Sequence, residues 1–450
     1  MKRVGKRTAM TAIALVALMG AGAVAREAKV QPQAAPATTP PAPRNLALPT
    51  TQALFDGYVR DGKMPGIVGA FGFGDRPTQF VSAGRIADDA GAPAAGPDSL
   101  WRVYSMTKPI TAMAAMVLID DGKLRLDQPV SDFFPGFKTM KVLTGETSLE
   151  SVPATREITI RNLLTHTAGL GYNIITKGPL LKEYERLGIL PGAVNPQIEA
   201  QMRAVRPKTL AEFAERVSTL PLIAQPGTKW SYSIGLDVMG AVIEKASGMP
   251  FDRFVQTRLL TPLRMTSTYW TVPASEAGRL ATNYAFVGET RTPLDTGAGS
   301  VWLSPPSFPY GGAGLVTSAR DYDRFLHMLQ DGGTLDGVRV LKPETVALAM
   351  SNLLPPGVFF QGVGGGTGGT QAEVPMGFGA GGSVYLADKP GGPSKGTYGW
   401  GGAAGTIAWV DPVKHVRGTV MVNYFPAEKW PLRADIPPAL ARDAMRMTAR

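Results

Sequence analysis

Residues 101–121 read WRVYSMTKPITAMAAMVLIDD, and this long apolar run predicts a helix over about 105–121. Pro109 is tolerated only near the start of a helix, so the helix must begin close to Ser105. Residues three positions apart share one helix face, which lets the Lys108 side chain approach the Ser105 hydroxyl. Ser105 then lies in the positive field of the helix N-terminus, which favours negative charge that develops there.

The S-x-x-K spacing of Ser105 and Lys108 is the first candidate for chemistry. A serine hydroxyl is a poor nucleophile until a base takes its proton, and a partly desolvated lysine can be that base. The spacing alone is a weak signal, because a chain of this length contains about one such pair by chance. A surface capping serine beside a solvated lysine is the structural alternative.

Two further segments are candidates for a reactive site. WSYS at 230–233 contains Tyr232, whose phenol can relay a proton if nearby positive charge favours the phenolate. A hydrogen-bonded core tyrosine is the alternative for this residue. YGWGG at 398–402 precedes a predicted strand, and glycines beside a strand let a ligand or another backbone come close. A backbone N–H there can be an oxyanion donor, and a tight β-turn is the alternative.

The elements on either side of this centre predict an α+β fold. Both outer thirds of the chain carry strands and flanking helices, whereas residues 125–305 carry mainly helical patterns and proline-containing loops. The predicted elements are helices at about 50–62, 158–166, 210–219, 236–246, 319–330 and 437–447, and strands at 67–73, 79–83, 384–386, 406–410 and 418–424. This order predicts an antiparallel β-sheet flanked by helices, built from both chain ends, with an inserted, mainly helical subdomain. We assign residues 47–450 to this one domain.

The first 46 residues predict a signal for export, followed by an extended linker. A basic start at residues 2–7 precedes an uncharged apolar run, and Ala-Val-Ala at 23–25 fits a signal-peptidase site. We therefore expect residues 1–25 to be a signal peptide of a periplasmic or secreted bacterial protein with no stable membrane insertion after cleavage. A retained membrane anchor is the alternative, although the apolar run is short for one. Residues 26–46 are rich in proline and alanine, which predicts an extended linker.

Composition and charge exclude several classes of protein. The absence of cysteine excludes disulfide frameworks, thiolate metal sites and cysteine nucleophiles, and three histidines argue against a histidine-rich metal site. The formal net charge is +10, but residues 1–25 carry four of the positive charges and no acid, which leaves +6 scattered among acids. We therefore expect no nucleic-acid partner. GGGTGG at 364–369 matches a dinucleotide fingerprint literally, but no helix can begin cleanly after it, which predicts a flexible surface loop.

Taken together, the three segments resemble the serine β-lactamase and penicillin-binding-protein superfamily, with the family VIII carboxylesterases as the closest branch. The resemblance covers roughly residues 50–445, and several motifs in one order are more specific than any one of them. The motifs are WRVYSMTKP at 101–109, DGKLRLDQPV at 121–130, TIRNLLTHTAGL at 159–170, YSI at 232–234 with DVMG at 237–240, and WGG at 400–402 with WVDP at 409–412. The fold that this resemblance implies is the one shared with class C β-lactamases.

The resemblance also implies a role for each matched residue. Ser105 would be the acyl-accepting nucleophile, Lys108 would ease its deprotonation, and Tyr232 would act as general base. The backbone N–H groups of Ser105 and Ala403 would form the oxyanion hole. The substrate-binding residues that it implies are Trp400, Gly401, Gly402, Ala403 and Ile234. The implied partner is a small-molecule ester, no metal or organic cofactor is needed, and the oligomeric state stays open.

Two departures from the superfamily pattern favour neutral esters. Ile234 stands where β-lactamases place an asparagine that contacts the antibiotic, and isoleucine cannot form that hydrogen bond. Trp400 replaces the residue that meets a substrate carboxylate, and indole supplies an apolar wall and one N–H donor. We therefore expect short-chain carboxylic esters as substrates. A β-lactamase, a D-amino-acid peptidase, and a weakly active protein of the same fold that binds cell-wall peptides are the alternatives.

His166 is the remaining candidate for a catalytic group. The chain lacks a G-x-S-x-G elbow, so a triad of the α/β-hydrolase kind has no obvious nucleophile. His166 lies near the end of a predicted helix, before Thr-Ala-Gly, where structural hydrogen bonding is common. We therefore expect His166 to support the structure and not to take part in the reaction.

Overall fold

The computed structural model describes residues 47–360, 362 and 374–448. The predicted signal peptide, linker and glycine-rich loop lie outside these described residues, at 1–25, 26–46 and 364–369. The extent of the single domain therefore stays a prediction. Within the described ranges, no helix has both the length and the apolar character needed to cross a lipid bilayer.

The described residues form the following helices and strands. The helices are α1 Pro49–Arg60, α2 Thr107–Asp120, α3 Ile160–Leu164, α4 Gly178–Arg186, α5 Pro196–Met202, α6 Leu210–Ser218, α7 Gly235–Ser247, α8 Phe251–Val255, α9 Ala319–Gln330, α10 Pro343–Ala349 and α11 Leu432–Thr448. The strands are β1 Gly66–Phe73, β2 Gln79–Gly84, β3 Leu100–Arg102, β4 Lys141–Leu143, β5 Ser151–Pro153, β6 Thr268–Tyr269, β7 Asn283–Val287, β8 Thr290–Asp295, β9 Val316–Ser318, β10 Thr334–Leu335, β11 Val338–Arg339, β12 Met376–Phe378, β13 Ser383–Tyr385, β14 Tyr398–Gly401, β15 Ile407–Asp411, β16 Val416–Met421 and β17 Tyr424–Phe425.

A seven-stranded antiparallel sheet joins the two ends of the chain, in the order β12-β13-β14-β15-β16-β1-β2. β1 pairs with β16, so that Val68 lies opposite Met421 and Phe73 opposite Val416. α1 packs on β2 and on α11, whereas α9 packs on β16 and β1. Because β1 is buried along nearly its whole length, its sequence is continuously apolar and does not alternate. The predicted α+β fold is confirmed.

The middle of the chain, residues 125–305, holds the predicted helices α3, α6 and α7, and it also holds α4, α5, α8 and the strands β4 to β8. These strands form small sheets: β4 pairs with β5, β7 pairs with β8 and β17, and β6 pairs with β9. β6 and β7 therefore tie the insertion to later parts of the chain. The sequence did not indicate these strands, because segments of two to six residues are too short for a clear alternation.

Two helices at the centre bring the first two candidate segments together. The side chains of α2 from Thr107 to Leu118 are all buried, as expected of a helix that is apolar on every side. α2 packs against α7, which begins directly after the segment 230–234. α7 ends at Gly248, whose φ of 71° is the left-handed conformation that favours glycine. The helix that follows Ser105 thus lies against the helix that follows Tyr232.

The last helix starts earlier than the sequence pattern predicts. We expected a start at Pro437, because proline is favoured at the first helical position, yet α11 begins at Leu432 and contains Pro437 and Pro438. Leu432 and Ile436 are buried in a hydrophobic cluster that also contains Phe55 of α1. Burial of this extra turn against α1 offsets the backbone hydrogen bonds that the prolines cannot donate.

Candidate active site

Ser105 lies in a 3-10 turn, Tyr104–Met106, that leads from β3 into α2. Tyr104 has a φ of 40°, which is strained for a bulky residue. Packing holds Tyr104 in this conformation, because its ring lies 5.5 Å from the Trp302 ring and 5.4 Å from the Phe425 ring. Its hydroxyl also accepts a hydrogen bond of 2.9 Å from Asn283 Nδ2. A packed, strained turn therefore sets the position of Ser105 at the start of α2.

Lys108 is fully buried in the first turn of α2, on the helix face that Ser105 shares. Its Nζ donates to Ser105 Oγ at 3.2 Å and to the carbonyl oxygen of Gly312 at 2.8 Å. The same atom lies 4.6 Å from the centre of the Tyr232 ring and 5.4 Å from that of Tyr172. The solvated lysine that sequence reasoning left as an alternative is therefore excluded.

Tyr232 completes the contacts of the serine hydroxyl. Its hydroxyl donates to Ser105 Oγ at 2.6 Å, and only 4% of the residue's surface is exposed. Trp400 Nε1 donates to the Tyr232 oxygen at 3.4 Å, with the two rings 5.7 Å apart. The Tyr232 oxygen thus lies between Ser105 and Trp400, and three segments that are far apart in the sequence meet at one hydroxyl pair.

His166 holds the segment that carries Tyr232 and makes no contact with Ser105 among the described hydrogen bonds. The His166 carbonyl oxygen accepts from Ser231 N at 2.9 Å, and its Nδ1 accepts from Ser233 N at 3.2 Å. Ser233 Oγ lies 2.8 Å from the same Nδ1. Burial, aided by the nearby Lys108 charge, holds the pKa of His166 well below its usual value, so the ring is neutral. These contacts agree with the structural role expected for His166.

The glycine-rich segment 398–402 forms β14 and the start of the turn that follows it. A Cβ atom at Gly402 would lie 2.4 Å from the carbonyl oxygen of Val103, so only glycine permits this approach to the residues before Ser105. Ala403, the next residue, is exposed to solvent in the turn. Gly401 is half-buried beside Arg433. The assignment of the Ala403 backbone N–H to an oxyanion hole stays a prediction.

Ile234 lies at the N-terminal end of α7 and is fully buried. Its backbone N–H donates to the Gly171 carbonyl oxygen at 3.2 Å. Ile234 has no solvent-accessible surface in this structure, whereas Trp400 is half-buried and accessible. The assignment of Ile234 to the substrate site stays a prediction.

Sequence reasoning included Asp237 in the DVMG motif at 237–240 but gave it no role. This carboxylate lies in the first turn of α7, is fully buried, and accepts from Gly312 N at 2.8 Å. A lone acid within the apolar run of α7 was the available signal, because an unpaired carboxylate is seldom buried. No group of three or more His, Cys, Asp or Glu side chains in the described residues is arranged to hold a metal ion.

Aromatic side chains from separate segments form one side of the site, and we call them the aromatic wall: Trp230, Phe360, Phe378 and Trp400. The Trp400 ring lies 5.1 Å from the Phe378 ring and 5.9 Å from the Phe360 ring. Trp230 contacts Phe360 at 4.7 Å between ring centres. Phe378 follows the glycine-rich stretch in sequence and Phe360 precedes it, so only the fold reveals the wall. The surface beside Tyr232 is consequently apolar.

Comparison with known proteins identifies the family of the chain. The Beta-lactamase family model matches residues 51–436. This chain belongs to the beta-lactamase family. The predicted membership of the serine β-lactamase and penicillin-binding-protein superfamily is therefore confirmed.

Individual members of the family resemble the chain over different lengths. Protein Rv1367c of Mycobacterium tuberculosis is 38% identical over 268 residues, and the match spans 59% of this chain and 62% of that protein. Esterase EstB of Burkholderia gladioli is 32% identical over 376 residues, which are 80% of this chain and 86% of the esterase. Among solved structures, EstCE1, described as a hydrolase with promiscuous acyltransferase activity, superposes with a TM-score of 0.69 at 24% identity. That match covers 88% of this chain and 98% of EstCE1.

Proposed function

We propose that this protein is a serine hydrolase that cleaves short-chain carboxylic esters through an acyl-enzyme on Ser105. The observation that carries the proposal is the pair of contacts at Ser105 Oγ, 2.6 Å to the Tyr232 hydroxyl and 3.2 Å to Lys108 Nζ. Both distances are within the reach that proton transfer requires. The 32% identity with a protein named as an esterase, over most of both chains, supports the same activity.

The first half of the proposed reaction forms the acyl-enzyme. With Tyr232 as the phenolate, Ser105 turns its proton toward the Tyr232 oxygen, and Ser105 Oγ attacks the ester carbonyl carbon as that proton moves across. The Lys108 ammonium, 4.6 Å from the centre of the Tyr232 ring, favours negative charge on that phenol. The backbone N–H groups of Ser105 and Ala403 stabilise the oxyanion of the tetrahedral intermediate. When the intermediate collapses, the alcohol leaves with the proton held by Tyr232.

The second half releases the acid. Water donates a proton to Tyr232 and attacks the acyl carbonyl, and the second tetrahedral intermediate collapses with return of the proton to Ser105 Oγ. The overall reaction consumes only the ester and one water molecule. Tyr232 thus acts as base in acylation and again in deacylation, with Lys108 as its fixed cation.

The aromatic wall supports a neutral substrate. Trp400 offers one N–H donor, which already points to Tyr232, and no positive charge that would pair with a substrate carboxylate. Apolar rings around it favour burial of an uncharged acyl or alcohol group. We also propose that residues 1–25 direct the protein to the periplasm or outside the cell, where such esters are met in solution.

The experiment is hydrolysis of a short-chain p-nitrophenyl ester by wild type and by Ser105→Ala. Wild type should give a burst of p-nitrophenol, and the variant should lose at least about 10³-fold in kcat, because no acyl-enzyme forms without the nucleophile. Ser318→Ala is the matched control: Ser318 also precedes a helix and is buried, but it only caps α9 through Asp321 N. Unchanged hydrolysis by Ser105→Ala would overturn the nucleophile.

The same assay separates the competing activities. Wild type is offered a neutral ester, a chromogenic cephalosporin and a D-alanyl peptide at equal concentration. The proposal expects the ester to have the highest kcat/KM. A higher kcat/KM for the cephalosporin or the peptide would assign the protein to the β-lactamase or peptidase alternative, and binding without turnover of any would favour a binding protein.

A further inference from the structure

The backbone at residues 311–312 is held between the two central helices. Thr111 Oγ1 of α2 donates to the Gly311 carbonyl oxygen at 2.7 Å, and Asp237 Oδ1 of α7 accepts from Gly312 N at 2.8 Å. A Cβ atom at Gly312 would lie 2.6 Å from Asp237 Oδ2, a distance at which the carboxylate or the backbone must move. Glycine at this position therefore allows the buried carboxylate to reach the backbone.

Gly312 also meets the lysine of the active site. Its carbonyl oxygen accepts from Lys108 Nζ at 2.8 Å, so Asp237 and Lys108 hold the N–H and the C=O of one residue. Both side chains are fully buried. A buried ammonium is stabilised by a nearby carboxylate, and Lys108 is close enough to Asp237 for its charge to oppose the rise that burial causes in the pKa of the Asp237 carboxyl.

Asp237 Oδ2 has no hydrogen-bond partner among the described residues. A buried carboxylate oxygen without a donor is an exception in proteins, and it is retained only where another requirement outweighs the desolvation of the charge. A purely structural residue at this position would need only one acceptor for Gly312 N, which a neutral asparagine also supplies. The negative charge of Asp237 therefore needs an explanation beyond its hydrogen bond to Gly312.

We propose that Asp237 is a positioning residue of this active site. It holds Gly312, whose carbonyl oxygen fixes Lys108 Nζ, and its negative charge balances the buried Lys108 cation beside Tyr232, the group that takes the Ser105 proton. This inference rests on the proposed serine hydrolase function and extends it to a residue that does not touch Ser105.

The environment of Asp237 gives the proposal a pH signature. Burial raises the pKa of the Asp237 carboxyl to about 6, against the opposing effects of the Lys108 charge and the Gly312 N–H. The titratable groups that act on it are Lys108 on α2 and Tyr172 in the segment after α3, and Lys108 in turn lies beside His166 and the Tyr232 ring. Above about pH 6 the carboxyl is ionised and supports the ammonium; below it, the carboxyl takes up a proton and that support is lost.

The test measures how fast a fluorophosphonate probe labels Ser105, from pH 4.5 to 8.5, in wild type and Asp237→Asn. In this reaction Ser105 Oγ attacks phosphorus, fluoride leaves, and the serine proton goes to the base. Above pH 7 the variant should be labelled about tenfold or more slowly, since a nearby charge is worth one pKa unit or more. Below pH 5 the two rates should converge, because wild type has then lost the same charge.

Two outcomes would overturn the proposal. A rate ratio that is the same at every pH would mean that the substitution acts only through structure. A variant that is faster than wild type at neutral pH would mean that the charge hinders the reaction and that a neutral Lys108 is the base. Peptide mass spectrometry establishes that Ser105 is the labelled residue in each case.

Two further variants keep the test decisive if Asp237→Asn folds poorly. Gly312→Ala keeps the charge but displaces the carboxylate, so labelling should slow at every pH while the change near pH 6 remains. Asp321→Asn is the matched control, because Asp321 is also buried in the first turn of a helix and accepts a backbone N–H, from Ser267 at 2.6 Å. It should leave the pH profile unchanged, and a shifted profile would contradict the assignment to Asp237.

The probe also separates this inference from the proposed function. Labelling of wild-type Ser105 without turnover of any ester would overturn the ester hydrolase and leave the role of Asp237 to be decided by the pH profiles. Ester turnover with identical profiles in wild type and Asp237→Asn would overturn the role of Asp237 alone.

Discussion

Two buried cations lie six positions apart in the sequence and have opposite surroundings. Arg102 of β3 bonds directly to Asp295, and its guanidinium also donates to Ser300 Oγ at 2.9 Å and to the Ala281 carbonyl oxygen. Asp295 in turn accepts from Val301 N at 3.0 Å. This network uses the fork of the guanidinium fully, as a structural ion pair requires.

Lys108 has a less complete set of partners. It is separated from Asp237 by Gly312, and Asp237 Oδ2 has no hydrogen-bond partner in the part of the chain that the structure describes. One hydrogen bond of Lys108 Nζ goes to Ser105 Oγ, whose proton must leave during the proposed reaction. We call the fully hydrogen-bonded Arg102–Asp295 network the frame, because it supports the fold beside the site. The Lys108–Asp237 pair lacks one hydrogen-bond partner, and its charge is available for chemistry.

The largest effect is expected on stability, from loss of the Arg102–Asp295 ion pair in the frame. Arg102→Ala leaves Asp295 buried without its cation, and breaking such a pair costs about 3–5 kcal/mol of unfolding free energy. Urea unfolding followed by circular dichroism measures this loss. An Arg102→Ala/Asp295→Ala double variant should recover part of it, because no lone charge remains. A loss below 1 kcal/mol in the single variant would show that the two cations do not differ as described.

The next largest effect is expected on activity, with little change in stability. Tyr232→Phe removes the hydroxyl that lies 2.6 Å from Ser105 Oγ, and loss of a general base lowers kcat about 10²–10⁴-fold. The urea midpoint should change little. Tyr184→Phe is the control, because Tyr184 is equally buried and its hydroxyl accepts from Gly171 N at 3.0 Å, away from Ser105. A Tyr232→Phe variant with near wild-type kcat contradicts the proposed base.

The smallest effect on activity is expected at His166, which holds the segment that carries Tyr232. His166→Ala removes the Nδ1 acceptor that holds Ser233 N, and a loosened Tyr232 should lower kcat about tenfold. His166→Asn supplies an oxygen near the same place, and asparagine tolerates the φ of 55° at this position, so it should restore most of the activity. Equal loss in both variants would speak for direct participation of the imidazole.

His166 also predicts how stability depends on pH. Because burial holds its pKa below 6.5 in the folded state, the unfolded chain takes up the proton first as the pH falls. The free energy of unfolding is therefore fully present above pH 6.5 and decreases below it. His166→Asn should lack this part of the decrease between pH 6.5 and 5. A wild type and variant with parallel pH curves would contradict the burial of a neutral ring.

The sequence by itself determined much of the fold and the pairing of Ser105 with Lys108. The S-x-x-K spacing at the start of an apolar helix placed Lys108 on the face of Ser105, because helical periodicity is local and needs no tertiary contact. The strands β1, β2, β13, β15 and β16 and the helices α1, α6, α7 and α9 were likewise predictable from their patterns, whereas the short strands β12 and β14 were not. The early start of α11 was not, since burial of Leu432 and Ile436 against α1 overrides the preference of proline for a first turn.

Tertiary structure decided the rest, because the remaining contacts join residues that are far apart in the chain. Nothing in the local pattern of Asp237 reveals that it meets Gly312, 75 positions later, or that Gly312 meets Lys108. The aromatic wall likewise depends on segments brought together by the packing of α2, α7 and β14. Local propensity sets the elements, whereas the low dielectric and the fixed distances that give buried charges their effect exist only once those elements are packed.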